Sequence, residues 1–211
     1  MLTASRLLVA TTNAGKLREI QQMLGPLPIT LVTLRELPLV LEPEETGSTF
    51  AENARLKASY YAATSGELTV AEDSGLEIDA LDGGPGVRSA RFNGGSYEEK
   101  FATIERMLTE RSVDGSTARF VCAVALARNT SIVWETRGTV EGRLQLPPCG
   151  DRGFGYDPIF FYPPYGRTLA EVEDDEKAAV SHRGKAFQQL QAYLNANLAT
   201  SERRTSSSRP G

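Results

Sequence analysis

Cysteine, histidine and tryptophan are scarce in this 211-residue chain, and the scarcity removes several chemistries at once. Cys122 and Cys149 are not spaced as a zinc or thiol-redox motif, and His182 is the single histidine, so no zinc centre is expected. No apolar run approaches the ~20 residues of a membrane span. The N-terminus reaches a β-like run near Arg6 without the charged, apolar and cleavage regions of a signal peptide. A cytoplasmic setting is therefore expected. There is no cationic excess: 23 Lys and Arg stand against 27 Asp and Glu, for a net charge of −4. That balance argues against a nucleic-acid polymer or a membrane surface as partner. It leaves room for a small anion held by a few local cations.

What the chain does have is Val70-Ala71-Glu72-Asp73-Ser74-Gly75-Leu76. An apolar run ends in two adjacent carboxylates, a serine and a glycine, the profile of a buried strand that presents acids into a cleft. Two short strands are expected here, at 68–72 and 76–80, with Gly75 turning the chain between them. Oxygen ligands of this kind suit a hard cation such as Mg2+.

Around that stretch the pattern alternates. A strand over 6–11 and a helix over 16–24 come first, then a strand over 29–34 and an irregular acidic segment over 37–46. A helix over 49–64 has Ser48 or Thr49 as its cap, with Glu52 a capping-box partner for Thr49, and stops at Gly66. Another helix spans 97–111, and a hairpin joins 118–127 to 131–140. One long helix is expected over 176–198, interrupted at Gly184, followed by a polar, disordered tail over 200–211. Helices interleaved with strands early and a hairpin late give an α/β class with a mixed sheet.

Several segments carry groups suited to a nucleotide. Thr11-Thr12-Asn13-Ala14-Gly15-Lys16 joins a strand to a helix, where unpaired N–H groups and the positive helix end favour an anion. It is not a Walker A loop, because the leading glycine is absent and Leu17 follows the lysine. Glu44 and Glu45 precede the second helix, and either one reaching Asp73 would complete a metal site. Gly153-Phe154-Gly155-Tyr156-Asp157-Pro158 offers rings on which a planar base stacks, plus a carboxylate to accept hydrogen bonds. Lys177 and Ser181-His182-Arg183-Gly184-Lys185 add cations and the lone imidazole.

Taken in order, T-T-N-A-G-K, E-E-T-G-S-T-F-A-E-N-A, A-E-D-S-G-L, L-D-G-G-P-G-V-R-S-A-R-F, G-F-G-Y-D-P-I-F and S-H-R-G-K-A resemble the non-standard purine nucleoside triphosphate pyrophosphatase family. The resemblance covers roughly residues 6–195. It implies a two-lobed mixed β-sheet flanked by helices, with a central substrate cleft, in one domain over 1–199. It also implies a homodimer that hydrolyses ITP, dITP and XTP to monophosphate and pyrophosphate. In the implied site Asp73 is the proton acceptor, and Asp73 and Glu44 bind Mg2+. Thr11, Thr12, Asn13, Ala14, Gly15 and Lys16 hold the triphosphate, and Ser74 touches substrate. Phe154, Gly155, Tyr156 and Asp157 receive base and sugar, Lys177 meets phosphate, and His182 with Arg183 reads the purine. Glu72 departs from the aspartate common at that position. The competing readings are a pyrophosphatase for modified pyrimidine nucleotides and a non-catalytic nucleotide sensor.

Overall fold

The computed structural model of the chain describes residues 4–38 and 40–198, so the tail expected to be disordered at 200–211 lies outside the described residues. One seven-stranded mixed sheet organises the rest. Its strands are β1 (Arg6–Val9), β2 (Thr30–Thr33), β3 (Leu68–Ile78), β4 (Thr117–Arg128), β5 (Ser131–Leu144), β6 (Phe160–Tyr162) and β7 (Arg167–Thr168), in spatial order β2-β1-β3-β4-β5-β6-β7. The first three pair in parallel, and every later neighbour is antiparallel.

Helices α1 (Ala14–Leu24) and α2 (Phe50–Ser65) make the two parallel crossovers and lie on opposite faces of the sheet. α1 shares a core with α5 (His182–Asn197), where Ile20 and Leu24 meet Phe187, Leu190 and Leu194. α2 lays Phe50, Ala54, Ala58 and Tyr61 on Ala71, Val121, Ala123 and Ala125 of the other face. A third cluster joins the far ends of β3 and β4 to α3 (Tyr97–Glu110) and the 156–172 segment. The Thr49/Glu52 capping box forms as expected, and Gly66 caps α2 in the left-handed conformation.

Two expectations are corrected. The stretch at 68–80 is not two strands with a turn at Gly75, because β3 runs unbroken from Leu68 to Ile78 against β4. Gly75 serves proximity instead: a side chain there would overlap Ser89, whose hydroxyl receives the Leu76 N–H at 3.0 Å. The C-terminal helical segment breaks at Ser181 rather than at Gly184, giving α4 (Asp174–Val180) and α5. Ser181 is extended and its hydroxyl accepts the Gly184 N–H, so it caps the second helix. Gly184 is needed because α5 begins hard against the Ala178 carbonyl.

β1 stops at Val9 while β3 continues, so residues 72–74 are paired to β4 on one side only. The crossovers leave β1 toward β2 and return past β1 to β3, which opens a crevice beyond the carboxyl end of β1. The site lies there.

α5 reaches this crevice by pressing its first turn on Gly138 of β5. A β-carbon at Gly138 would collide with the His182 carbonyl and lie 2.8 Å from the Ala186 nitrogen. Gly138→Ala should therefore destabilise the fold by about 1–3 kcal/mol, the usual cost of overpacking. In urea this appears as a lower midpoint with an unchanged slope; an unaltered midpoint would contradict the close packing.

Candidate active site

Alternation along β3 sends its two adjacent acids to opposite faces, yet both line one cleft because the open edge of the strand is reachable from either side. Glu72 points toward α1 and α5, where Lys16 Nζ lies 2.6 Å from Oε1 and Arg183 Nη2 3.7 Å from Oε2. Oε1 accepts no well-angled hydrogen bond, so its contact with Lys16 is ionic. Burial alone would raise the Glu72 carboxyl. The charges of Lys16, Arg183 and Lys57 outweigh it and hold the group well below the usual carboxylate range.

Asp73 points toward α2. Asn53 Nδ2 donates to its Oδ2 at 3.0 Å, and Lys57 Nζ stands 3.6 Å from its Oδ1. Burial raises the Asp73 carboxyl above the ordinary aspartate value, aided by the negative charge of Glu72 and opposed by Lys57 and Asn53. The two neighbours are thus pushed in opposite directions. Lys57 also reaches Glu45 at 2.5 Å, and Arg91 meets Glu45 at 2.8 Å. Thr11, Thr12, Asn13, Lys16, Glu72 and Asp73 all border one cavity of about 200 Å3. Lys16 and Asp73 therefore converge on a single space. At its rim Asn13 caps α1 by accepting the Lys16 N–H at 3.0 Å.

A second, narrower compartment of about 70 Å3 adjoins the first through Asn13, Lys16, Ser74 and Ala90. Phe154, Tyr156, Asp157, Lys177, His182 and Arg183 border it. The glycine alternation has a backbone cause: Gly153 and Gly155 both adopt positive φ, 69° and 72°, and fold the loop so that Asp157 accepts the Phe154 N–H at 2.8 Å. The Phe154 ring lies under the Lys177 ammonium at 4.6 Å and against Gly15 of α1. Lys177 pairs with Asp157 at 2.7 Å and with Glu19 at 2.8 Å. Glu19 also takes Arg183 Nη1 at 2.5 Å, while Arg183 Nη2 donates to Ser74 Oγ at 2.9 Å. His182 stacks on Phe120 at 4.9 Å, and burial holds its imidazole well below the usual value, so it is neutral.

Among the described residues, the buried side-chain polar atoms without a hydrogen-bond partner are Glu72 Oε1, His182 Nδ1 and Arg183 Nε. All three belong to residues of these two compartments. Glu72 Oε1 has the Lys16 ammonium beside it; folded proteins rarely leave groups like the other two unmet, and a ligand is one way to meet them.

The donor set also suits a hard cation. Glu45 and Asp73 already share the Lys57 ammonium, so two carboxylates face one position of positive charge. Among the described residues no group of three or more His, Cys, Asp or Glu side chains is gathered as a metal cage. Mg2+ characteristically takes one or two carboxylates and completes its shell with water and substrate phosphates, so the sparse set fits. The acid at this position is Glu45; Glu44, named from the sequence, is exposed and does not border the cavity.

Of the remaining residues named from the sequence, Ala14 and Gly15 border neighbouring cavities rather than these two, and the others border one compartment or the other. Sequence reading missed Glu19, Glu45's pairing with Lys57, Asn53 and Lys57. The signal for the last two was present: 50, 53, 54, 57, 58 and 61 form one buried helical stripe, and Asn and Lys on it call for a polar partner. The largest cavity, about 660 Å3, lies elsewhere between the 83–86 loop, β4 and the start of α2, and shares only Val87 with the acid-lined cleft. Among the described residues no helix is long and apolar enough to cross a membrane.

Because its carboxyl is raised by folding, ionised Asp73 costs stability at pH values above the folded pKa, and that cost fades as pH falls and the group protonates. Asp73→Asn should be more stable than the parent chain at pH 7, and the difference should shrink toward pH 4. Urea midpoints across pH measure it; a variant less stable at pH 7 would contradict the stated balance.

The chain is similar to known proteins over most of its length. A dITP/XTP pyrophosphatase of Exiguobacterium is 48% identical over 192 residues, covering 90% of this chain and 96% of that protein. A dITP/XTP pyrophosphatase of Synechocystis is 48% identical over 185 residues, covering 87% and 92%. The solved structure of a HAM1 protein from Coxiella burnetii superposes with a TM-score of 0.83 at 38% identity, covering 90% of this chain and 98% of that one. The Ham1 protein of Staphylococcus aureus gives a TM-score of 0.78 at 36% identity. The Ham1 family profile matches residues 7–193, and the chain belongs to the Ham1 family.

Proposed function

We propose that this protein hydrolyses non-standard purine nucleoside triphosphates, ITP, dITP and XTP, to the monophosphate and pyrophosphate. The observation that carries the reading is the adjacency of two compartments of unlike chemistry. One is walled by cations and acids, the other by aromatic rings, an arginine and a neutral histidine, and together they match the two ends of a nucleotide. Two of these substrates, dITP and XTP, stand in the relatives' names.

In this mechanism the phosphates lie over Thr11 to Lys16, where the start of α1 offers N–H groups without helical partners. Lys16 and Lys57 neutralise phosphoryl oxygens, and Asp73 accepts the proton of the attacking water. Its raised carboxyl makes it a better base than an ordinary aspartate. Glu45 and Asp73 would hold Mg2+, which when bound supplies charge neutralisation at the phosphates and lowers the pKa of coordinated water. Phe154 stacks the base, and Lys177 and Asp157 fix the loop beneath it. Arg183 Nε and His182 Nδ1 provide unmet polarity for a 6-oxo purine edge. A 6-amino group presents hydrogen where such a donor needs an acceptor, and each unmet buried group costs about 1–3 kcal/mol. The chain works as one two-lobed domain, a homodimer, in the cytoplasm, where it clears deaminated purines from the nucleotide pool.

Incubation with ITP and Mg2+ should release pyrophosphate and IMP in equal amounts, and EDTA should stop it. Asp73→Asn should reduce turnover by roughly 10²–10⁴-fold while remaining folded. Orthophosphate and IDP as products would overturn the cleavage site, and binding without turnover would favour the sensor reading. Lys57→Met should move the acid limb of kcat/KM upward from its position in the parent enzyme, because a positive charge that opposes protonation of Asp73 is gone. An unmoved limb would assign the proton acceptor to another group.

A further inference from the structure

The base compartment is too small for a base. Its volume of about 70 Å3 is far below that of small-molecule pockets, about 300–1,000 Å3. Some part of the wall must therefore move before a nucleoside enters. Most of the wall is fixed by burial. Phe120, Tyr156, Asp157, Lys177, His182 and Arg183 are all buried in the sheet, the 157 turn or the α4–α5 junction. Tyr156 is further anchored by a 2.8 Å hydrogen bond from its hydroxyl to the Ser89 carbonyl. Phe154 is pinned between Gly15 and the cations of Lys177 and Arg183.

Tyr97 is different. It is 37% exposed, one of the two large apolar side chains exposed to that degree among the described residues. It is the first residue of α3, directly after the Ser96 cap, and Asn93 and Gly94, two consecutive residues of positive φ, lie further back in the turn that leads to the helix. Its ring meets Tyr156 edge-on at 5.3 Å, and its hydroxyl oxygen would lie 3.5 Å from a β-carbon at Gly155. It thus covers the mouth at the base-receiving loop. The hydroxyl has no hydrogen-bond partner among the described residues; the ring's contacts are the edge contact with Tyr156, a looser one with Phe101 at 6.1 Å, the Gly155 backbone, and the Lys100 ammonium 4.5 Å from the ring centre. Lys100 is itself tied to the Ala90 carbonyl at 2.7 Å. It would stay behind when the ring swings.

We propose that Tyr97 is the movable outer wall of the base compartment: its ring leaves Tyr156 to admit a purine and then closes on the exposed face of the bound base. The assignment rests on the nucleotide reading above. It makes Tyr97 a binding residue that acts on the base and has no part in the chemistry at phosphorus.

The test is steady-state pyrophosphate release from ITP by the full chain, with inhibition by added pyrophosphate measured in parallel. Tyr97→Ala should raise KM for ITP about tenfold or more while kcat changes by less than about threefold, the pattern of lost uniform binding. Inhibition by pyrophosphate, which occupies the other compartment, should stay the same. Tyr97→Leu, which keeps apolar bulk on Phe101 without a ring, should behave like the alanine variant, and Tyr97→Phe should recover most of the lost affinity. An unchanged KM in Tyr97→Ala or Tyr97→Leu would overturn the proposal. So would a KM rise matched by equally weakened pyrophosphate inhibition, which would mark general loosening. If the parent chain itself fails to turn over ITP, it is the enzymatic reading that fails.

Discussion

Everything near the cleft depends on the buried contact between Lys16 and Glu72. A carboxylate with almost no exposure is placed at the open edge of the central strand, and burying it unpaired would be prohibitive. The lysine that pairs with it belongs to the first turn of α1, so the contact fixes the phosphate-type loop against β3. Arg183 completes the arrangement from α5 and passes the constraint to Glu19 and Lys177. Breaking such a buried pair by removing one partner typically costs about 3–5 kcal/mol. The ion-pair network built on this contact therefore ties α1, α4 and α5 together at one strand and lines up cations of both compartments.

The neighbouring acid obeys the opposite logic. Glu72 is kept ionised by surrounding cations, whereas burial lifts Asp73 toward protonation despite Lys57 and Asn53. Two identical functional groups, one residue apart, acquire different tasks because strand alternation sends them to different faces. One is a structural counter-ion and the other has the raised carboxyl that the proposed reaction uses as its base, the pattern expected where environments drive titratable groups apart. The cleft can use both only because β1 ends at Val9 and leaves the edge of β3 open.

Much of this was legible in the residues. The α/β class, the hairpin, the capping box at Thr49 and the glycine-aromatic loop all follow from local rules that act over a few positions. What local rules misread was the purpose of two glycines. Gly75 looks like a turn but permits the approach of Ser89, and Gly184 looks like a helix breaker but sits inside α5 against the Ala178 carbonyl. In both cases the reason lies in another element: Ser89 in the segment before α3, and Ala178 in α4, across the helix break at Ser181. Glu19 was invisible for the same reason, since its partners Lys177 and Arg183 are more than 150 residues away. Choosing between Glu44 and Glu45 needed coordinates, because the irregular 37–46 segment has no periodicity to say which side chain turns inward.

The account stands on one nucleotide spanning both compartments. The most direct measurement is a crystal structure with a non-hydrolysable ITP analogue and Mg2+. It should show the phosphates between Lys16 and Asp73 and the purine between Phe154 and His182 of the same chain. Phosphates bound instead in the large groove lined by Arg88 and Arg137 would contradict it.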